Sequence, residues 1–398
     1  GLLTTTYSMA DNTSKAPFFD ENRASMLEHG KYLYNPDLKW ETTVTRNFGI
    51  DYGFFNGRLS GTLDFYWNTT KDLLMQSIIP SNTGYTYQFQ NFGKTSNKGV
   101  ELALNAVIVD KKNFGLNFNF NISYNKNKID ELNMENPWQS SNWSGSTIAK
   151  YEDFRVEQGG RLGELWGYKS NGFYTVFDAS TGKGDLVLKE NGTWALAEGV
   201  KDNSYKLFGG NLYPGVAKVE VDENGDAVKQ RLGNTVPTTT GGFGFDGHVG
   251  NFDFNLFFNY SLGNDVFNYS RSILEGGNNF YNQTTAMTNR WRQEGQQTDI
   301  PRISFDDAMG NSRFSDRWIE DGSYLRLKTL NLSYKVPVNS EWLQGLTIWA
   351  EASNLFTLTH YLGSDPEFSA SNSVLYQGID PGNIALSRAF TFGLKINL

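Results

Sequence analysis

Residues 116–125 read LNFNFNISYN. Every second residue is apolar: Leu116, Phe118, Phe120, Ile122 and Tyr124. The residues between them are polar: Asn117, Asn119, Asn121, Ser123 and Asn125. Successive side chains of a β-strand point to opposite faces, so this stretch is a ribbon with one greasy face and one amide-lined face. Two environments want such a ribbon. A soluble sandwich puts the polar face in water and the apolar face in a core. A membrane barrel puts the apolar face in lipid and the polar face in a wet lumen.

The same pattern recurs along the chain. In residues 40–54, Trp40, Thr42, Val44, Arg46, Phe48, Ile50, Tyr52 and Phe54 share one parity. Asn56-Gly57 follows, a strong two-residue hairpin signal. Leu59, Leu63, Phe65 and Trp67 line the return strand, and Val100, Leu102, Leu104, Ala106 and Ile108 the next. A polar turn at 110–113 leads into the opening stretch. Residues 243–249 and 252–262 flank a turn at Gly250-Asn251, and further ribbons cover 325–336, 346–356 and 387–398. These ribbons run about 10 to 15 residues; membrane-spanning strands need about 9–11, whereas ordinary strands average nearer 5 or 6. The connections alternate as well. Short ones fall at 55–57, 110–113, 250–251 and 337–344, and long ones at 71–89, 129–160, 264–322 and 358–386. Short turns on one side and long loops on the other is the outer-membrane arrangement. It places the C-terminus on the periplasmic side and the long loops outside. Region 161–237 breaks the pattern. The orientation count requires an even number of strands there, taken as two, for 10–12 in all. The expected fold is therefore all-β and antiparallel, with long extracellular loops. Residues 1–39 are expected to form an extracellular loop or lead-in and residues 40–398 barrel strands and loops.

Composition agrees and narrows the function. The 398 residues are 15% aromatic, with 29 Phe, 20 Tyr and 41 Gly, which suits strands and polar loops. No run of 18 apolar residues exists, which excludes a transmembrane helix but not a barrel. The mean hydropathy of -0.49 is compatible with either environment. A net charge of -8 without a basic stripe argues against nucleic acid. The absence of cysteine excludes a disulfide framework and thiolate chemistry. The sequence does not open with Met, and its start has no basic n-region, so a processed chain or a piece of something longer is expected.

Several blocks then carry a family likeness. NPDLKWE (35–41), NKGVELALN (97–105), SYNKNKI (123–129), LWGYKSNGFY (165–174), SDRWIEDGSYLRLKTLNLSYKVP (315–337), EASNLFTLTHYLGSDPE (351–367) and SRAFTFGLKINL (387–398) stand in order along nearly the whole chain. Together they resemble the C-terminal half of SusC/RagA-type TonB-dependent outer-membrane transporters of Bacteroidetes. The resemblance implies a barrel of about 22 strands. It implies a plug domain and TonB box outside this chain, supplied by the remaining N-terminal barrel and plug polypeptide. It also implies a SusD-like surface lipoprotein as lid, coupling to TonB-ExbB-ExbD, and oligosaccharide or peptide cargo. Two positions depart from the family pattern. The chain ends in Leu398 rather than an aromatic, and DENGDA (222–227) has Ala227 where Gly is usual.

Catalytic and metal signatures are weak. DENGDA resembles the start of a calcium loop, but Ala227 and Gly233 occupy the positions that need Gly and Glu, so a plain polar turn is expected. His29, His248 and His360 lie far apart, not at metal-ligand spacing. No nucleophile elbow or phosphate loop is present. Asp316, Glu320, Asp321, Asp365 and Glu367 are read as loop carboxylates, with Asp365-Pro366-Glu367 shaping its loop. No enzymatic activity, metal or cofactor is expected. Trp138, Trp143, Tyr151, Trp194, Tyr269 and Tyr281 fall between ribbons, where aromatic faces stack on sugars or pack against a lid as readily as they fold the loops. They are the candidate substrate or lid contacts, and Asn117, Asn119 and Asn121 the candidate lumen lining. The reading is an importer component in outer-membrane lipid. The alternatives are a structural or adhesive barrel without transport, or a secreted all-β carbohydrate-binding protein.

Overall fold

The computed structural model describes residues 7–9, 27–29, 32–132, 138–140, 153–207, 210–277, 280–308, 310–311, 313–339, 342–367, 369–370 and 377–398. Nine long strands dominate: β1 (Thr42–Phe54), β2 (Leu59–Ile78), β3 (Tyr87–Lys111), β4 (Phe114–Leu132), β5 (Thr239–Val249), β6 (Phe252–Leu262), β7 (Tyr324–Val336), β8 (Gly345–Thr359) and β9 (Ala389–Asn397). They pair antiparallel in chain order, β1 at one edge and β9 at the other. The two-residue strand Tyr32–Leu33 adds to β3 in parallel and completes a ten-stranded sheet. Region 161–237 contributes nothing to this sheet, because β4 pairs directly with β5. Zero is an even number, so the alternation of short turns and long loops survives. The two strands expected there are instead short pieces of separate small sheets.

The register joins like with like across the sheet. Ile50 sits opposite Leu63, Leu63 opposite Leu102, and Leu102 opposite Ile122. Leu104 faces Phe120, Phe120 faces Phe243, and Phe243 faces Phe258. Below the level of Arg46 and Lys126 one sheet face is thus apolar from β1 to β9, and among the described residues nothing covers it. Phe48 is 59% exposed, Phe392 77% and Leu394 65%. Soluble monomers rarely leave so large a continuous apolar surface open to water. Both edges are open too, since β1 bonds only to β2 and β9 only to β8 among the described residues.

Glycines on this face are covered by tyrosines from the neighbouring strand. Tyr52 lies over Gly61 and its hydroxyl donates to the Ala103 carbonyl at 3.2 Å. Tyr260 lies over Gly241 and donates to the Asn121 carbonyl at 2.9 Å. Each tyrosine therefore ties three strands, and the missing side chain leaves room for the ring. A Cβ at Gly241 would strike the Asn121 carbonyl and the Tyr260 ring. Gly241→Val should destabilise the complete protein by about 1–3 kcal/mol, as overpacking does, read as a lower melting temperature in detergent. Gly53→Ala, where a Cβ meets nothing, should leave it unchanged.

Candidate functional site

The second face of the sheet is polar and hydrogen-bonded along its rungs. Asn117 Nδ2 donates to Asp246 Oδ2 at 2.9 Å, between β4 and β5. Ser123 Oγ donates to Glu101 Oε1 at 3.1 Å, and Asn47 Nδ2 to Asp64 Oδ1 at 3.3 Å. Asn331 Nδ2 donates to Glu351 Oε2 at 3.3 Å, between β7 and β8. Asn121 Oδ1 accepts from the Gly242 amide at 3.1 Å, and Asn119 lies against Gly244. The three asparagines singled out from the sequence therefore share this face. Amide and carboxylate partners of this kind hold one another in place while leaving capacity for water or a polar solute.

At the long-loop end, three loops fold together into a cap. Strands Phe154–Val156, Glu164–Tyr168 and Lys229–Asn234 pair within one loop, joined by Trp138–Ser140. Asp265–Asn268 and Ile319–Asp321, from the second loop, form a sheet with Ile379–Asp380 from the third. Phe154, Leu165, Phe267, Phe314, Trp318 and Ile379 form one buried core drawn from all three loops. Hydrophobic burial thus fixes the cap as a unit, at about 25 cal/mol per Å² of apolar surface removed from water. A second core, Tyr174, Leu186 and Val216, organises the outer part of the first loop.

The loop aromatics fall into different roles. Trp194 packs against the second core and Tyr269, in the short helix α1 (Tyr269–Leu274), against the first. Tyr281 is 68% exposed, next to the exposed pair Phe280 and Phe305. Trp138 lies on its short strand. Trp143 and Tyr151 lie outside the described residues. The loop carboxylates have structural partners. Asp316 accepts from the Ser170 amide at 2.9 Å, and Glu320 accepts from Arg271. Asp222 in DENGDA accepts the Asn224 and Asp226 amides at 2.9 Å each, which makes it a self-capped turn.

Two arginines escaped the sequence reading. Arg326 stands on the polar face of β7, opposite Asn259 and Thr357, and is 2% exposed. It donates to Asp365, to Glu367 Oε2 at 2.7 Å and to Thr357 Oγ1 at 3.0 Å. Asp365 Oδ2 accepts the Leu386 amide at 3.1 Å. The polar sheet face thereby clasps the third loop, and Asp365-Pro366-Glu367 shapes that loop as expected. The only sequence signal for Arg326 was a charge inside a strand that also carried leucines. Arg317 lines a cavity of 320 Å³ together with Phe173, Lys218, Asp299, Asn311 and Arg313. Burial pushes its guanidinium down to about 10. Its Nη1 and the Asn311 Oδ1 have no hydrogen-bond partner among the described residues.

Burial is the largest influence on the Asp365 carboxyl and raises it, but the Arg326 hydrogen bond and charge together with the Glu367 and Leu386 amides outweigh it, and the net displacement is below the usual carboxylate range. A carboxyl depressed in the folded state stabilises above its unfolded value and loses that contribution as pH falls through the folded value. Arg326→Ala would leave the Asp365 carboxylate buried without its cation, a loss of about 3–5 kcal/mol. It should raise protease sensitivity of the 360–388 loop at neutral pH. The unmodified protein should show the same sensitivity only once pH drops below about 4.

Comparison with known proteins places these features. The family model described as TonB dependent receptor-like, beta-barrel, matches residues 6–214. TonB-dependent receptor P3 of Formosa agariphila is 31% identical over 373 residues, covering 91% of this chain and 34% of that protein. TonB-dependent receptor SusC of Bacteroides thetaiotaomicron is 28% identical over 382 residues, covering 91% and 32%. The chain spans about a third of the length of these relatives. The RagAB peptide importer in its closed-closed state superimposes with a TM-score of 0.71 at 26% identity, over 99% of this chain and 38% of that one. An open edge on each side of the sheet and a fold covering part of a larger barrel agree, and the chain belongs to the TonB-dependent receptor-like β-barrel family.

Proposed function

We propose that this chain is the C-terminal barrel portion of an energy-coupled outer-membrane importer for oligosaccharides or oligopeptides. One observation carries the reading: a single register sorts nine strands into a continuous apolar face and a continuous polar face. In lipid, every backbone polar group needs a partner, and each orphan costs several kcal/mol. The open edges of β1 and β9 therefore call for further strands, from the rest of the same polypeptide or from a second one. A closed barrel puts Phe118 and Phe120 in lipid and Asn117, Asn119 and Asn121 toward a wet lumen. The long loops then face outward, and the C-terminus lies at the periplasmic rim with the short turns.

The folded cap suits a gate over that lumen. Its Arg326 clasp is anchored on the polar face, so the cap and the pathway are mechanically joined. The exposed aromatics Phe280, Tyr281 and Phe305 suit contact with a SusD-like lid or with cargo. The plug and the TonB-contacting segment belong to the part of the protein outside this chain. The likeness to a RagAB peptide importer supports peptides, and the exposed loop aromatics suit sugar rings as well. A soluble carbohydrate-binding sandwich would need a second layer over the apolar face.

Single cysteines separate these readings in the complete protein, which has no native Cys in this part. Asn119→Cys should react with a charged maleimide, and Phe118→Cys should react only with a lipid-soluble one. Reversed reactivity would exclude the barrel. Cells lacking the protein should lose uptake of one labelled class, peptide or glycan, and normal uptake of both would sink the importer reading.

A further inference from the structure

The outward face carries an unpartnered basic row just above its apolar band. Arg46 on β1 sits opposite Trp67 on β2, Trp67 opposite Lys98 on β3, and Lys98 opposite Lys126 on β4. One pair further toward the long loops stands Lys128, opposite Ser96. All four cations are exposed, and among the described residues none makes a hydrogen bond or an ion pair. The nearest carboxylate along β4, Asp130, makes no ion pair with Lys128. Lysines directly opposite one another across a strand pair repel. Nothing in the described residues relieves that repulsion.

The row lies at a telling height. Below it on β3 the same face reads Val100, Leu102, Leu104 and Ala106. Lys126 stands roughly a dozen residues from the turn-side start of β4, just beyond the 9–11 residues that cross the hydrocarbon. Between the cations and the apolar band lie the aromatics Phe48, Phe65 and Tyr124, with Trp67 in the row itself, all exposed. Such rings mark the membrane interface. The feature is also local. β5 and β6 end at Thr239 and Leu262, level with Tyr124, so the row does not extend onto them.

We infer that Arg46, Lys98, Lys126 and Lys128 form a binding site for the phosphate groups of an anionic lipid in the outer leaflet, its acyl chains lying on the apolar face beneath. The inference rests on the barrel reading above. Closely spaced phosphates would neutralise the opposed lysines, and no protein carboxylate competes for them. Each cation near an anionic surface contributes about fivefold to binding.

The test uses the complete protein in neutral detergent with phosphorylated lipid A, the same lipid stripped of phosphate, and inorganic phosphate. Bound lipid is counted by native mass spectrometry. The unmodified protein should hold phosphorylated lipid A, and Lys98→Gln/Lys126→Gln/Lys128→Gln should weaken it by about tenfold or more. The triple Arg variant should retain it, which separates lost charge from lost folding. Equal retention by the Gln variant, or equal binding of the dephosphorylated lipid, overturns the site. Competition by millimolar inorganic phosphate alone would make it a free-anion site and overturn the lipid assignment. A protein that partitions into buffer, with Phe118→Cys open to water, overturns the barrel reading and this inference together; failure of lipid binding in a membrane-inserted protein overturns the inference alone.

Discussion

Cross-strand pairing of backbone amides and carbonyls is the constraint on which everything else here rests. In lipid these groups have no other partner. The pairing must therefore be continuous, and the period of two then forces every strand to keep the same phase. A slip of one residue would move Phe118 to the polar face and Asn119 to the apolar one, and the fault would propagate to β3 and β5 through their shared register. The tyrosines that lie over Gly61 and Gly241 reinforce that phase, since each bonds to a strand beyond its immediate neighbour.

The same constraint explains why the loops are organised as they are. Long strands such as β3, with 25 residues at about 3.3 Å each, far exceed the ~30 Å hydrocarbon layer. They carry the sheet well past the membrane and offer an edge and a surface on which loops can fold. The lead-in Tyr32–Leu33 uses that extension to pair with β3. The cap obeys ordinary soluble-protein rules: Trp318 and Leu165 are fully buried, and its charges are paired or hydrogen-bonded at Arg271, Glu275 and Glu320. One molecule thus contains an inside-out sheet and a right-way-round cap. Arg326 joins the two, with its stem on a barrel strand and its guanidinium in the third loop.

Much of the sheet could be read directly from residue order. Asn56-Gly57 and Gly250-Asn251 marked hairpins that the structure contains, and Phe252, Phe254, Leu256, Phe258, Tyr260 and Leu262 fall on one face as their spacing indicates. Region 161–237 could not be read this way. Its short strands pair with one another and its apolar residues Tyr174, Leu186 and Val216 meet only through chain reversals, so no local period announces them. The same is true of the site. Asn117, Asn119 and Asn121 were legible because a strand fixes side-chain direction. Trp194 and Tyr269 were visible as loop aromatics, but whether a loop ring packs inward or stays exposed depends on contacts distant in sequence.

The sequence by itself determined the alternation, the strand lengths, the side on which each connection falls and the family, because these depend on local stereochemistry and on blocks of adjacent residues. Only the tertiary structure decided that β4 pairs with β5 across the whole first long loop. It alone brought Phe154, Phe267 and Ile379 into one core and Arg326 to Asp365. It alone aligned Arg46, Lys98 and Lys126 in one row across the sheet. Those relations join residues tens to hundreds of positions apart, and chain order carries no record of distance until register and burial impose it.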